Sequence, residues 1–422
     1  MDYKEYPKRD IMCIDCKSFF ASVESVKLGL NPLTSYLCVV SHADRKGGLV
    51  LASTPKMKSE YGIKTGSRMF QVPKYDKRIK IVPPRMGLYL KVNGLINEVF
   101  KKYTSDEYWY PYSIDESFID VSGSHKLFGS NEEIAKKIQQ EVWQKYKIPL
   151  CIGIGDNPLL AKLCLDNEAK NYPPYIATWH YQDVPEKLWQ IRPITNMWGI
   201  GKKTAQRLER LGITSVKQLA NANPEVLKRQ FGVMGLELYH HANGIDQSIL
   251  SKREAPKEKS YGLSQVLPHD YLEASQVKVI IHEMAGQLAK RLRKHQVETR
   301  CIHLMIGYSR DIVEKGFSHQ MTIYKTNQSS VLEAYFTELF EKYYQGQPVR
   351  TVALTAGKLV PKESLQLNLF EAPQKQIQQD DLDKIVDKIQ ARYGITSLIH
   401  ASSLTKGATA IERANLLGGH RR

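Results

Sequence analysis

The chain has 422 residues, 42% of them hydrophobic and 25% charged, and a formal net charge of +16. That length exceeds one ordinary core and points to about three domains, while the composition excludes a disordered or fibrous chain. No apolar run approaches the ~18 residues of a membrane span and the first residues lack a signal-peptide core, so a cytoplasmic protein is expected, with no membrane partner.

The excess of Lys and Arg suits a phosphate-rich partner, although membrane-surface proteins share it. The six cysteines sit mostly among apolar residues and read as reduced core side chains. Cys13 and Cys16 have C-x-x-C spacing, but no second pair exists for zinc, and on a strand the two point to opposite faces.

In chain order, residues 10–15 form a short apolar run closing on Asp15, and Phe19, Phe20, Val23 and Val26 then follow helical spacing up to Gly29 and Pro32. Residues 36–40 and 47–53 read as two short strands and 56–60 as a helix closed by Tyr61-Gly62. Lys56, Lys58, Lys64 and Arg68 of this small unit either face an anion or form a solvated surface. Residues 86–103 read as a core helix.

The stretch 112–121 is apolar and aromatic, yet it carries Asp115 and Glu116 side by side. Adjacent buried carboxylates need a counter-charge, usually a divalent cation; the alternative is a polar hairpin tip in water. Asp15 offers a third carboxylate, and three from two strand ends suit two-metal phosphoryl transfer. Asp120 drops out, because five residues along a strand are roughly 16 Å.

Residues 132–146 read as a helix and 150–155 as a buried strand. Gly153 and Gly155 invite a dinucleotide-binding reading, but a third glycine is missing and Asn157-Pro158 follows. Lys162 stands amid apolar residues on the helix 159–165, where it either snorkels or meets an anion. Gly199-Ile200-Gly201 opens a helix beside Lys202 and Lys203, the helix-hairpin-helix pattern in which backbone N–H groups and the helix dipole receive a phosphate.

Residues 251–259 form a basic linker. A strand (260–267), helix (271–296), strands 301–308 and 317–324, helix (329–344) and strand (349–359) follow, a βαββαβ order with two helices on one face of one sheet. Its open face suits either duplex DNA or oligomerisation. Gln366-Leu367-Asn368-Leu369-Phe370 then forms an apolar anchor fit for a partner's pocket or, alternatively, an internal latch, and a last helix groups Leu382, Ile385, Val386 and Ile389 on one face before Gly394.

Ile14-Asp15-Cys16-Lys17-Ser18-Phe19-Phe20-Ala21-Ser22-Val23-Glu24, taken with Ser113-Ile114-Asp115-Glu116-Ser117, closely resembles the signature of the Y-family translesion DNA polymerases, nearest the UmuC-like bacterial branch, over about residues 10–370. The resemblance implies an α+β right-hand polymerase. Its parts would be a palm (1–30 and 80–175), small fingers (31–79), a helix-hairpin-helix thumb (180–248), a linker (249–258), a βαββαβ little finger (259–360) and a tail (361–422). It also implies template-directed addition of deoxynucleotides to a primer 3′ end in DNA damage tolerance and SOS mutagenesis. Primer-template DNA, deoxynucleoside triphosphates, the bacterial sliding clamp and accessory SOS proteins would be the partners.

By this resemblance Asp15, Asp115 and Glu116 would hold two Mg²⁺ ions, for which Mn²⁺ can substitute, with the Cys16 carbonyl as a further ligand. Phe20 would be the steric gate under the sugar, Phe19 would join it in binding the nucleotide, and Lys162 would touch the triphosphate. Gly199, Gly201, Lys202 and Lys203 would grip the DNA backbone, and Gln366, Leu367, Leu369 and Phe370 the clamp. The Tyr and Arg with which many members hold the triphosphate fall on Lys56 and Ser59 here, which leaves Lys56 or Lys58 as the candidate. The second expectation is a catalytically weak DNA-binding clamp adaptor that kept the fold; a nucleotidyl cyclase is disfavoured by the hairpin and the linker.

Overall fold

The computed structural model describes residues 3–42, 47–252, 259–363 and 373–421. They fall into two compact units, 1–254 with 420–422, and 255–419. The first unit opens with β1 (Ile11–Cys16), α1 (Phe19–Lys27), β2 (Leu37–Val40), β3 (Val50–Ser53), α2 (Pro55–Tyr61), β4 (Lys80–Val82) and α3 (Met86–Phe100). It continues through β5 (Trp109–Pro111), β6 (Glu116–Asp120), the short α4 (His125–Phe128), α5 (Asn131–Tyr146), β7 (Leu150–Gly155), α6 (Pro158–Cys164) and β8 (Ile176–Trp179).

Five of these strands make one sheet in the order β5-β6-β1-β7-β8. β1 lies at its centre and is buried on both faces, which is why it reads as a continuous apolar run and not as an alternation. Met12 and Ile14 pack into the core that includes Val99 of α3 and Ile138 of α5, whereas Ile11 and Cys13 face Ala161 of α6 and Leu165. The starts of α5 and α6 are chemically specified. Ser130 and Glu133 form a reciprocal capping box for α5, and the Asn157 side chain accepts the Leu160 N–H at 2.8 Å with Pro158 in the first turn of α6.

The sheet runs to Trp179, four residues past the position at which the sequence reading closes the palm, because β8 pairs parallel to β7. Gly153 and Gly155 serve this packing. A Cβ on Gly153 would lie 2.3 Å from the Ala161 carbonyl oxygen, and one on Gly155 would lie 2.3 Å from the Ala161 nitrogen, so only glycine lets α6 rest on β7. The small unit between β1 and the rest has three strands, ordered β3-β2-β4, where two were expected. Among the described residues the first unit continues with the α-helices α7 (Lys202–Glu209), α8 (Val216–Ala220), α9 (Pro224–Phe231) and α10 (Val233–Ala242). Asn157 ties them to the sheet by donating to the Gly244 carbonyl at 2.8 Å.

The second unit contains β9 (Tyr261–Tyr271), α11 (Ala274–Lys294), β10 (Val297–Tyr308), β11 (Gly316–Thr326), α12 (Ser329–Tyr343) and β12 (Val349–Pro361), in the expected βαββαβ order. The sheet is antiparallel, ordered β11-β10-β12-β9, and both helices cover one face. Ile302, Leu304 and Ile306 of β10 point into that core while His303 and Met305 point out. A tail helix, α13 (Pro373–Tyr393), docks in an unexpected orientation. Its buried residues are Asp380 and Asp383, and Leu382 and Ile385 are exposed. Arg293 dictates this: its guanidinium meets Asp383 at 3.1 Å and Asp387 at 2.7 Å, and Lys362 meets Asp380 at 2.8 Å. Leaving Arg293 buried without these acids would cost more than burying a few aliphatic side chains returns.

Candidate active site

The register of the central strands assembles the site. β1 and β6 run antiparallel with Asp15 directly opposite Glu116 and Cys13 opposite Phe118, so odd positions of β1 share one face with their partners. That face carries Cys13 and Ala161, so Asp15 and Glu116 emerge side by side toward α6. Asp115 precedes the strand, in the turn between β5 and β6. This is a hairpin tip, but Glu116 is only 8% exposed, so the pair is not a solvated one.

The tip is held from several sides. The N–H groups of Tyr112 and Ser113 both donate to the Glu116 carbonyl, Asn93 of α3 donates to the Ile114 carbonyl at 2.6 Å, and the Cys16 N–H donates to the Asp115 carbonyl at 2.8 Å. The Ser113 hydroxyl donates to Asp115 Oδ1 at 2.7 Å, and the buried Cys13 thiol donates to Glu116 Oε1 at 2.9 Å. Burial, with Glu116 close by, pushes the Cys13 thiol well above its ordinary range, which keeps it a donor.

Lysines balance the acids. Lys162 Nζ lies 2.6 Å from Glu116 Oε1, and Lys170 Nζ lies 2.9 Å from Asp15 Oδ2. Burial raises the Asp15 pKa, Lys170 draws it back, and Asp115 and Glu116 add to the rise. Burial works against the charge of Lys162, yet Cys13, Glu116 and Asp166 together hold its pKa above the ordinary value. Among the described residues no three Asp, Glu, His or Cys side chains converge as a metal cage, and one oxygen each of Asp15 and Glu116 lies against an ammonium group. The donor set nevertheless fits a hard divalent cation: its donors are oxygens, and the Asp15 carboxylate carries a burial cost that such a charge would relieve.

Phe19 is buried in the core, whereas the half-buried Phe20 stacks on Tyr89 at 4.3 Å between centroids. Tyr89 is fixed in turn, donating to Glu24 at 2.7 Å, and Arg85 clasps the same carboxylate. Lys56 does not reach the carboxylates; it pairs with Glu60 at 2.8 Å on an exposed helix face. Lys58 is the residue of α2 turned to the site, donating to the Ser18 hydroxyl at 2.9 Å, and burial with Lys17 and Lys170 nearby lowers its pKa.

Gly199 has φ +89°, a conformation that favours glycine, and Gly201 is the residue before α7. Both glycines, with Lys202 and Lys203, are exposed, while Met197, Ile200 and Leu208 pin the turn to the core. The element ahead of this turn is a 3₁₀ turn, Ile194–Asn196. Residues 366–370 lie outside the described residues. The sequence reading missed Lys17, Lys170 and Asp166; an Asp166 and a Lys170 spaced four and eight residues beyond Lys162 were the available signal.

The impB/mucB/samB family matches residues 14–166, its HHH motif residues 181–213 and its C-terminal domain residues 258–369. The chain is 41% identical over 423 residues, spanning both chains fully, to a Bacillus subtilis (strain 168) protein named for UV-damage repair, UvrX. It is 32% identical over 416 residues, 97% of this chain and 98% of the relative, to DNA polymerase IV 2 of Halalkalibacterium halodurans. A solved Y-family DNA polymerase chimera, Dbh-Dpo4(243-245)-Dbh, shares the fold over 83% of this chain and 99% of its own, with a TM-score of 0.65 at 22% identity. The chain therefore belongs to the impB/mucB/samB family of Y-family polymerases and is a DNA polymerase.

Proposed function

We propose that the chain extends primers across damaged template bases, with Asp15, Asp115 and Glu116 and the Cys16 carbonyl as the ligands of two Mg²⁺ ions. The observation that carries this reading is the direct register of Asp15 on Glu116 with Asp115 one residue away. Bound there, the cations would activate the primer 3′-hydroxyl and neutralise charge on the leaving pyrophosphate. Phe20, backed by the Tyr89 ring, is rigid enough to reject a ribose 2′-hydroxyl. Lys162 and Lys58 would meet the triphosphate, Lys58 being the one of the two candidates, Lys56 and Lys58, that turns toward Ser18 and not toward Glu60.

The exposed Gly199, Gly201, Lys202 and Lys203 turn serves the DNA backbone, and the open face of the second unit's sheet serves the duplex. The division into palm, fingers, thumb and little finger belongs to the same proposal, as do the sliding clamp as the partner of residues 366–370 and an SOS role. A UV-damage context accords with the name of the Bacillus subtilis relative. Asp115→Ala is expected to abolish Mg²⁺-dependent primer extension while leaving DNA binding intact. Undiminished extension would remove the metal assignment, and a wild-type protein that binds DNA but extends no primer would return the chain to the adaptor reading.

A further inference from the structure

Two of the three carboxylates of the site, Asp15 and Glu116, are linked by an unbroken chain of charge. Lys170 Nζ stands 2.9 Å from Asp15 Oδ2 and 2.9 Å from Asp166 Oδ1. Lys162 Nζ stands 2.6 Å from Glu116 Oε1 and 3.0 Å from Asp166 Oδ2. Asp166 thus joins the two lysines, and the order runs Asp15, Lys170, Asp166, Lys162, Glu116.

Helical spacing alone would not produce this. Four residues advance an α-helix by about 40°, so Lys170, eight residues beyond Lys162, would lie about 80° around the axis from it. The chain instead turns into a π-helix at Leu165–Ala169, with the Lys170 N–H donating to the Leu165 carbonyl at 3.0 Å. This wider turn rotates less per residue and returns Lys170 to the face of Lys162. Single π turns inside helices frequently mark functional sites. Lys17 secures the end of the turn without touching a carboxylate: its Nζ donates to the Lys170 carbonyl at 2.8 Å and lies 4.1 Å over the Tyr175 ring.

We propose that Lys170 is a built-in counter-ion of Asp15 which an incoming divalent cation displaces, and that Asp166 is the resting partner that keeps the displaced ammonium paired. The inference rests on the reading of Asp15, Asp115 and Glu116 as cation ligands. Its physical reason is that a carboxylate left unpaired in a largely buried position would destabilise the metal-free palm. An ammonium held by two acids is a removable neutraliser. It keeps the strand ends in register before the cation arrives and lowers the cation's apparent affinity by the strength of the bond it must give up. Lys170 is on this view a positioning residue.

The test is Mn²⁺ binding to the nucleotide-free, full-length protein, read from the free-ion signal in electron paramagnetic resonance. Lys170→Met is expected to bind Mn²⁺ about tenfold tighter, the effect of losing one partly buried charge pair. Lys170→Arg should stay near wild type, and Asp166→Asn should bind more weakly, because the displaced ammonium then has no second acid. Mn²⁺ should also raise the melting temperature of Lys170→Met more than that of wild type, since it replaces a missing counter-charge. Equal affinity in wild type and Lys170→Met overturns the proposal, and so does an equal tightening in Lys17→Met, which would reveal a general field in place of a specific exchange. If Lys170→Met does not fold, the opposite-signed Asp166→Asn decides. Asp115→Ala separates the two readings: Mn²⁺ binding that ignores Asp115 defeats the cation site itself, whereas binding that needs Asp115 but not the loss of Lys170 defeats the counter-ion alone.

Discussion

Gly155→Ala is a one-carbon change whose effect follows from a distance. The added Cβ would lie 2.3 Å from the Ala161 nitrogen and 2.7 Å from the Leu160 carbonyl carbon, whereas ordinary contact begins near 3.4 Å. α6 would have to withdraw from β7 by about an ångström, and because the obstructing atoms are backbone, no rotamer change relieves it. Overpacking costs about 1–3 kcal/mol, and the loss of unfolded-chain entropy on replacing glycine returns only about 0.4–1 kcal/mol, so a net destabilisation of about 1 kcal/mol is expected. The same withdrawal carries Lys162 away from Glu116, a contact of 2.6 Å. Primer extension should therefore fall along with stability. Hydrogen exchange of peptides covering residues 150–165 measures the first effect and single-turnover extension the second. Wild-type protection together with wild-type extension would refute the packing argument.

Phe20→Ala is expected to admit ribonucleotides, since it removes the ring that Tyr89 supports, and unchanged sugar discrimination in competitive incorporation would return Phe20 to a packing role. Deleting residues 366–370 should lower only clamp-stimulated synthesis, so a loss of clamp-free activity would argue for an internal latch. Arg293→Met should destabilise the docked tail by about 3 kcal/mol, because Asp383 and Asp387 lose their shared cation; limited proteolysis should then release the tail, and unaltered resistance would count against the docking. Burial, with Asp383 close by, moves the Glu333 carboxyl from its ordinary 4.5 up to about 7. The folded state thus holds this proton more tightly than the unfolded chain. Its stabilising contribution is complete below about 4.5 and lost as pH rises through about 7. The stability of the second unit relative to Glu333→Gln should decline across that window, and parallel pH profiles would contradict it.

Much of the site was legible because its chemistry violates local expectation. Two adjacent carboxylates inside an apolar stretch demand a counter-charge wherever that stretch ends up, and Asp15 closes a second apolar run that reads as a strand. The longer elements of the second unit were legible for a similar reason. Their periods of two and 3.6 persist over 11 residues in β9 and 21 in α11, long enough to outweigh accidental patterns. The three-residue β4 and β5 and the four-residue β8 complete less than one such pattern, and only their neighbours make them strands.

The partners of the charges were decided by tertiary structure. From spacing alone Lys56 and Lys58 are equivalent, and it is the placement of α2 beside Ser18 that turns one to the site and the other to Glu60. α13 reads as a helix with an apolar inner face, yet Arg293, 90 positions before Asp383 and 94 before Asp387, selects its aspartates instead. Composition, the three acids and the periodicities are local properties, so the amino-acid sequence by itself determined the fold class and the carboxylates at the centre. Which lysine answers which carboxylate depends on strand register and on a single π turn, and those exist only once the chain has folded.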